Sequence, residues 1–389
     1  MRITDIRATV VSVPFKKPRL WALGCHQGVT RTVVEIVTDE DIVGLGETLG
    51  ASPKQIIDKN IKILLGEDPS NIVRIISKAL WRGGWGGVNI PNPRPLSAIE
   101  MALWDIKGKE VGKPVCDLLG GMFRQEVEFL ACMMLTNWTD NQDELIDDAV
   151  SDAKETINDY GYETIQQYVG VFPPEVECHI VDSIREELGH NLRIAIDANG
   201  SWSAETAIRT LKKMEKCELY YAEDATSGLE ALARVRKTVN MVFSTNVANV
   251  IEVAKLKAAD VIAGDLHDSG GFLGTKKLLA QCELFNLGFW LHSGNELGIS
   301  LSALVHFIAS SPYIIHPSQC TYHWLSDDII KNKWKFNYGK IKVPREPGLG
   351  VTIDVQKLEK YSEFYCEREY TMFDFDPKRP DWFPRIPAW

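Results

Sequence analysis

The chain has 389 residues, 45 % hydrophobic and 25 % charged, with a formal net charge of −10. This balance is that of a soluble globular protein, and the acidity, with no Lys/Arg-rich run standing out, argues against nucleic acid or an anionic membrane as a partner. No run of about 18 apolar residues predicts a transmembrane helix, and the opening MRITDIRATVVSVPF lacks the apolar core of a signal peptide, so a cytoplasmic location is expected.

In chain order, Ile3–Pro14 and Thr32–Val37 are rich in β-branched side chains and read as strands. Glu40-Asp41 sits at a hairpin-like turn, and GLGE at 44–47 closes the sheet. Helical periodicity follows over Pro53–Leu65, Ile72–Leu80 and Ser97–Val111, the last with Ile99, Leu103 and Ile106 on one face. Strands followed by helices make residues 1–126 an α+β unit.

From 127 to 340 short apolar segments alternate with amphipathic ones. Strands are predicted at Val127–Cys132, Thr164–Tyr168, Leu192–Asp197, Leu219–Glu223, Val242–Asn246, Val261–Asp265, Gly288–His292 and, with the poorest pattern, Tyr313–Ile315. About eight strands over roughly 200 residues fit a closed (β/α) barrel better than an open doubly wound sheet. No GxGxxG follows any of them, which argues against a dinucleotide site. Residues 341–389, with VPREPGLGVTID and the Trp/Pro-rich DWFPRIPAW, read as a segment returning over the first unit. The eight cysteines are scattered with no CxxC pair, so reduced, mostly buried thiols are expected instead of a disulfide framework or zinc site.

Polar side chains recur where the predicted strands end. Tyr168, Asp197, Glu223, Asn246, Asp265 and His292 follow one another at intervals of roughly one βα unit, which in a barrel places all six at the C-terminal mouth. Asp197, Glu223 and Asn246, on three successive ends, offer two carboxylates and an amide oxygen, hard ligands suited to Mg²⁺. Each acid alone also reads as a cap for the next helix, as IDANGS would allow. Asp265, one strand before His292, can accept its ring N–H, fix the tautomer and raise its basicity. His267 in GDLHDSGG is a second candidate, but its offset from the strand end reads as a loop position.

The order of these features resembles the enolase superfamily. The motifs that carry the likeness are TRTVVEI, GLGE, SAIEMALWDIKGKEVGKPVCDLLGG, IDANGSW, YAED, STN, HSGNELGISL and VPREPGLGVTID, which cover most of the chain. Within the superfamily the sequence is most similar to the glucarate dehydratase-like acid-sugar dehydratases. The resemblance implies an α+β capping domain, a (β/α)7β TIM-type barrel and a C-terminal return to the cap, the mandelate racemase/muconate lactonizing enzyme-like fold. It implies Mg²⁺ on Asp197, Glu223 and Asn246 and a general-base dyad of His292 and Asp265. The implied chemistry is abstraction of the proton α to a carboxylate, a Mg-stabilised enediolate, and loss of a β-hydroxyl to give a 2-keto acid. The expected partner is a small-molecule sugar acid, and a homo-oligomer is expected.

One stretch departs from the family. Its members usually carry Lys-x-Lys at the end of the second barrel strand, and YETIQQYVGVF (162–172) aligns Gln166 and Tyr168 with those lysines. An amide is no base, and a phenol with a pKa near 10 is ionised in only about one molecule in a thousand at pH 7. Three readings stay open: a one-base dehydratase in which Tyr168 donates or orients, a dehydratase with Tyr168 as the base, and a barrel that binds an acid sugar without turnover. An isomerase (epimerase) of the same superfamily is a further alternative. Substrate contacts are expected from cap loops 19–31 and 82–94, with His26, Arg31, Trp85, Asn89 and Arg94 as candidates beside Gln166 and Ser293.

Overall fold

The computed structural model describes residues 1–82, 93–376 and 378–389, so Trp85 and Asn89 lie outside the described residues. Strands β1 (Ile3–Trp21), β2 (Gly24–Thr38) and β3 (Val43–Leu49) form an antiparallel sheet in that order. The stretch expected as a cap loop, 19–31, is instead the far end of the first hairpin. Pairing resumes after an irregularity between Pro14 and Arg19, with Arg19 opposite His26 and Trp21 opposite Gly24. Lys16, Lys17 and Pro18 interrupt the alternation there, which is why the sequence reads as a loop.

Helices α1 (Ser52–Leu64), α2 (Ile72–Arg82) and α3 (Arg94–Val111) cover this sheet, and the short α4 (Val115–Leu118) leads out of it. The GLGE glycines have a packing reason. A Cβ on Gly46 would stand 1.9 Å from the Ala98 carbonyl oxygen, and one on Gly44 2.2 Å from that of Ala102, so only glycine lets β3 lie this close to α3.

The second unit alternates strand and helix. Its strands are β4 (Glu126–Met133), β5 (Thr164–Tyr168), β6 (Arg193–Asp197), β7 (Ala222–Glu223), β8 (Phe243–Thr245), β9 (Val261–Gly264), β10 (Gly288–Leu291) and β11 (Ser318–Cys320). Between them run α5 (Gln142–Tyr160), α6 (Pro174–Leu188), α7 (Ala204–Met214), α8 (Leu229–Thr238), α9 (Val250–Leu256), α10 (Phe272–Leu284) and α11 (Gly298–Ala309). The parallel ladder runs β11-β4-β5-β6-β7-β8-β9-β10, and the Leu291 amide donates to Ser318 Oγ at 3.0 Å across the remaining seam. This is a (β/α)7β barrel beneath an α+β cap.

The eighth strand is five residues later than its expected place at Tyr313–Ile315. That segment is a turn in which the Tyr313 hydroxyl donates to the Leu287 carbonyl at 2.9 Å. Its aromatic and β-branched composition mimics a strand, whereas the true strand, Ser-Gln-Cys, carries none of the usual signal.

Beyond the barrel, β12 (Lys340–Lys342) pairs antiparallel with the start of β4, and α12 (Val355–Glu367) packs on β1. The chain then follows the hairpin end, with Trp21 Nε1 donating to the Met372 carbonyl at 2.9 Å and the Cys25 amide to that of Asp374 at 3.0 Å. It finishes on the barrel, not the cap. The Ala388 amide donates to the Ser201 carbonyl at 2.7 Å, and Trp389 Nε1 to that of Gly170 at 3.2 Å. All eight cysteines are free thiols and all but Cys366 are buried. Among the described residues no helix is long and apolar enough to cross a membrane.

Candidate active site

Parallel register places Tyr168 opposite Asp197, Asp197 opposite Glu223, and Glu223 opposite Ser244, so the ends of β5, β6, β7 and β8 share one level. Asn246 follows two residues beyond Ser244 and is exposed at the mouth, its backbone N–H donating to Asp224 Oδ2 at 3.3 Å. Above this level lies a cavity of about 480 Å³ whose wall includes Asn199, Asp224, Asn246 and His292.

Asp197 and Glu223 are buried just under that wall. Asn199, in the left-handed conformation at φ 48°, donates its backbone N–H and its side-chain amide to the two oxygens of Asp197, each at 2.8 Å. Gln166 Nε2 donates to Glu223 Oε2 at 2.5 Å, and Gln319 Nε2 to the same oxygen at 3.2 Å and to Gln166 Oε1 at 2.5 Å. Burial, and then the charge of Asp224, push the Asp197 carboxyl up. Glu223 is pushed well up by burial and the charges of Asp197 and Asp224. Burial also raises Asp224, against hydrogen bonds from Thr245 and Asn246. Acids crowded in this way mark a place where a cation would be stabilised. Among the described residues no three His, Cys, Asp or Glu side chains are grouped to hold a metal by themselves. Asn246, two residues past Ser244, is exposed at the same mouth.

On the adjoining strands, His292 Nδ1 stands 3.3 Å from Asp265 Oδ2. The other oxygen of Asp265 accepts the backbone N–H groups of His267 (2.6 Å) and Asp268 (2.9 Å), which fix the carboxylate. Burial would lift Asp265, yet the His292 hydrogen bond and the nearby histidines hold it well below the usual carboxylate range. Burial would lower His292, but the hydrogen bond and charge of Asp265, then Glu296 and Asp197, bring it above its ordinary value. With Nδ1 donating to Asp265, Nε2 presents its lone pair on the cavity side. His267 is buried and lowered to about 3, by burial and then by Arg31, whose guanidinium meets its Nε2 at 3.0 Å.

Tyr168 is buried beside Asp197. Burial, then Cys132, Asp197 and Glu223, push its phenol well above its ordinary value. That is the direction of a proton donor, not a base.

Four of the expected substrate contacts are spent inside the protein. Arg31 is fully buried: Nε donates to Glu47 Oε1 at 2.6 Å, one terminal nitrogen to the Gly294 carbonyl at 2.8 Å, and the other to Ser300 Oγ at 3.1 Å. It clamps the loop after His292 to the cap. Ser293 Oγ donates to Glu296 Oε2 at 2.6 Å and also faces Thr321. His26 sits among Phe15, Trp21 and Trp324 with Asn295 Nδ2 at 3.2 Å from Nδ1, and burial lowers it to about 3. Gln166 lies on the barrel floor, hydrogen-bonded to Glu223. Arg94 does line the cavity, in a two-point pair with Asp268 (2.7 and 3.4 Å).

Sequence reasoning missed Asp224 and Gln319. The first is visible as the second acid of YAED. The second was hidden because its strand was misplaced.

Two domain models match the chain, "Mandelate racemase / muconate lactonizing enzyme, N-terminal domain" over residues 4–120 and "Enolase C-terminal domain-like" over 148–357. A probable glucarate dehydratase of Streptomyces coelicolor is 31 % identical over 100 % of this chain and 99 % of its own length. An enolase of Mycobacterium smegmatis solved with tartrate superposes with a TM-score of 0.91 at 28 % identity, covering 100 % of this chain and 98 % of that one. One from Thermobispora bispora, solved with magnesium and formate, gives 0.91 at 29 % identity over 100 % of both chains. Other relatives, 24 to 29 % identical, are named D-xylonate, arabinonate and D-gluconate dehydratases, and one an L-Ala-D/L-Glu epimerase. With both domain models matched in order and the barrel-on-cap architecture shared, the chain belongs to the enolase superfamily.

Proposed function

We propose that the protein is a Mg²⁺-dependent acid-sugar dehydratase working with one base, His292. The observation that carries this reading is the asymmetry of the site. A histidine paired with a half-buried aspartate stands just past the end of β10, while the second-strand positions facing the same interior hold only neutral groups, Gln166 and Tyr168. The dehydratases among the relatives support a sugar acid as the small-molecule carboxylate substrate.

Asp197, Glu223 and Asn246 would hold the metal, and their all-oxygen donor set fits Mg²⁺. When bound, the ion supplies positive charge to the substrate carboxylate and so acidifies the carbon next to it. His292 Nε2 accepts the α-proton, and Asp265 at Nδ1 stabilises the resulting imidazolium. The same Nε2–H then donates its proton to the departing β-hydroxyl, which leaves as water, and the remaining enol becomes a 2-keto acid. Tyr168 donates a hydrogen bond from the opposite wall, and Gln166 with Gln319 orients Glu223. Inverting the α-carbon would require a base on each face, so no epimer forms.

The test is an acid-sugar panel with Mg²⁺, read as 2-keto acid formation and as α-proton exchange in D₂O. His292→Asn abolishes both, whereas Tyr168→Phe leaves a measurable rate. The reverse pattern, or an α-epimer seen by NMR, refutes the one-base reading.

A further inference from the structure

We infer that the substrate carries a single carboxylate, an aldonate with an uncharged far end, and not a dicarboxylate; this rests on the acid-sugar reading above. A second carboxylate would need an uncompensated cation away from the metal ligands, and among the described residues the cavity wall offers none. Among the described residues Arg94 is the one Lys or Arg in its wall, and Arg94 is already matched at two points by Asp268, itself in the wall. A recess of about 160 Å³ shares Arg94, Met372 and Phe373 with the cavity and adds the carboxylate of Glu369. A second substrate carboxylate there would face the Glu369 carboxylate beside a guanidinium already matched by Asp268.

Among the described residues the other cations near the cavity have partners of their own. Arg19 is buried against Asp152 and the Met134 carbonyl, and Arg31 is bonded through all three nitrogens. His26 is neutral at any working pH. Arg379 lies between the Trp138 and Trp382 rings with Nε on Asp376, away from the cavity wall. Residues 83–92, GGWGGVNIPN, contain no Lys, Arg or His.

What the wall does provide suits a polyol. The Arg94–Asp268 pair presents donor and acceptor side by side, as hydroxyl groups require. Trp21 and Phe373, with ring centroids 5.7 Å apart, and Met372 and Leu23 give an apolar face for the C–H side of a sugar chain.

The experiment compares matched pairs, gluconate with glucarate, galactonate with galactarate and xylonate with xylarate, by calorimetric titration of the full chain in Mg²⁺ and by 2-keto acid formation. In every pair that binds, the monocarboxylate should bind at least about tenfold tighter, since a charge left unpaired is rejected strongly. Asp268→Asn, which leaves the Arg94 charge uncompensated, should shift the ratio toward the dicarboxylate by about the same factor. A dicarboxylate that binds as well as or better than its partner, and is dehydrated, overturns the inference while the dehydratase reading stands. If no member of any pair binds, forms 2-keto acid or exchanges its α-proton, the dehydratase reading falls and the inference with it.

Discussion

Glu177 gives a prediction that can be worked through from geometry. It lies on α6 and is buried, and its Oε1 accepts the backbone N–H groups of Val171 (2.7 Å) and Phe172 (2.9 Å), in the loop that follows Tyr168. Its Oε2 is buried without a hydrogen-bond partner among the described residues. Burial outweighs the N–H donors and lifts the carboxyl from 4.5 to about 8. Below pH 4.5 both folded and unfolded chains hold this proton. As pH rises the unfolded chain releases it first, so folding stability falls from about pH 4.5 until the folded group also ionises near 8. At about 1.4 kcal/mol per pKa unit the full loss is about 5 kcal/mol, of which about 3 kcal/mol develops between pH 5 and 7.5.

Glu177→Gln keeps an oxygen to accept the same two N–H groups but cannot titrate. Its stability at pH 5 should lie within about 2 kcal/mol of wild type, because one new N–H must find a place near Trp202. The discriminating quantity is the slope. Urea unfolding at pH 5, 6, 7 and 7.5 should show wild type losing about 3 kcal/mol more than the variant. Parallel curves for the two proteins would mean that Glu177 is not held protonated, and the account of its burial would be wrong.

Three further outcomes follow from the geometry. Glu47→Gln leaves the Arg31 guanidinium buried without its counter-charge and should cost about 3 kcal/mol in urea unfolding, with a loss of kcat as the loop after His292 loosens. Mg²⁺ at a hundredfold excess over its Kd should stabilise the chain by about 2.7 kcal/mol, seen as a rise in Tm that a chelator reverses and that Asp197→Asn abolishes. Deleting Ala388 and Trp389 removes hydrogen bonds to Gly170, Ser201 and Ser203 and should cost about 2 kcal/mol by thermal unfolding, with faster proteolysis of the loops after β5 and β6.

Most of the barrel could be read from the sequence because β6, β9 and β10 are apolar runs closing on Asp197, Asp265 and His292, and the roughly even spacing then places the other strands between amphipathic segments. The hidden parts fail for local reasons. The Ser-Gln-Cys strand puts Gln319 into the interior, where it serves Glu223 instead of the core, so its composition reads as a turn. The hairpin end from Arg19 to Arg31 carries charge and follows Pro18, yet is held by pairing and by the returning tail. His26 and Arg31 of that stretch read as substrate contacts in one dimension, and Arg19 carries the same kind of charge. Their partners, Asp152, Glu47 and Asn295, lie at least 16 residues away in sequence and appear only on folding.

The same distance in sequence conceals how the cap holds the dyad. Helices α10 and α11 follow the strands bearing Asp265 and His292, and neither has a side-chain cap of its own, their N-cap positions being Gly271 and Leu297. The cap domain supplies both. Glu100 on α3 accepts the Phe272 and Leu273 amides at 2.5 and 3.0 Å, and Glu47 on β3 accepts those of Leu297 and Ser300 at 2.9 Å each. A carboxylate at a helix N-terminus satisfies amides that would otherwise be orphaned and meets the positive end of the helix dipole. Two cap carboxylates thus fix the two helices that continue directly from the dyad strands, while Arg31 ties the intervening Gly294 to Glu47. Any shift of the cap relative to the barrel must displace the start of both helices, and with them the 3.3 Å contact between His292 and Asp265. The GLGE glycines, which let β3 lie against α3, hold the strand that carries Glu47 and so help place the loop after His292.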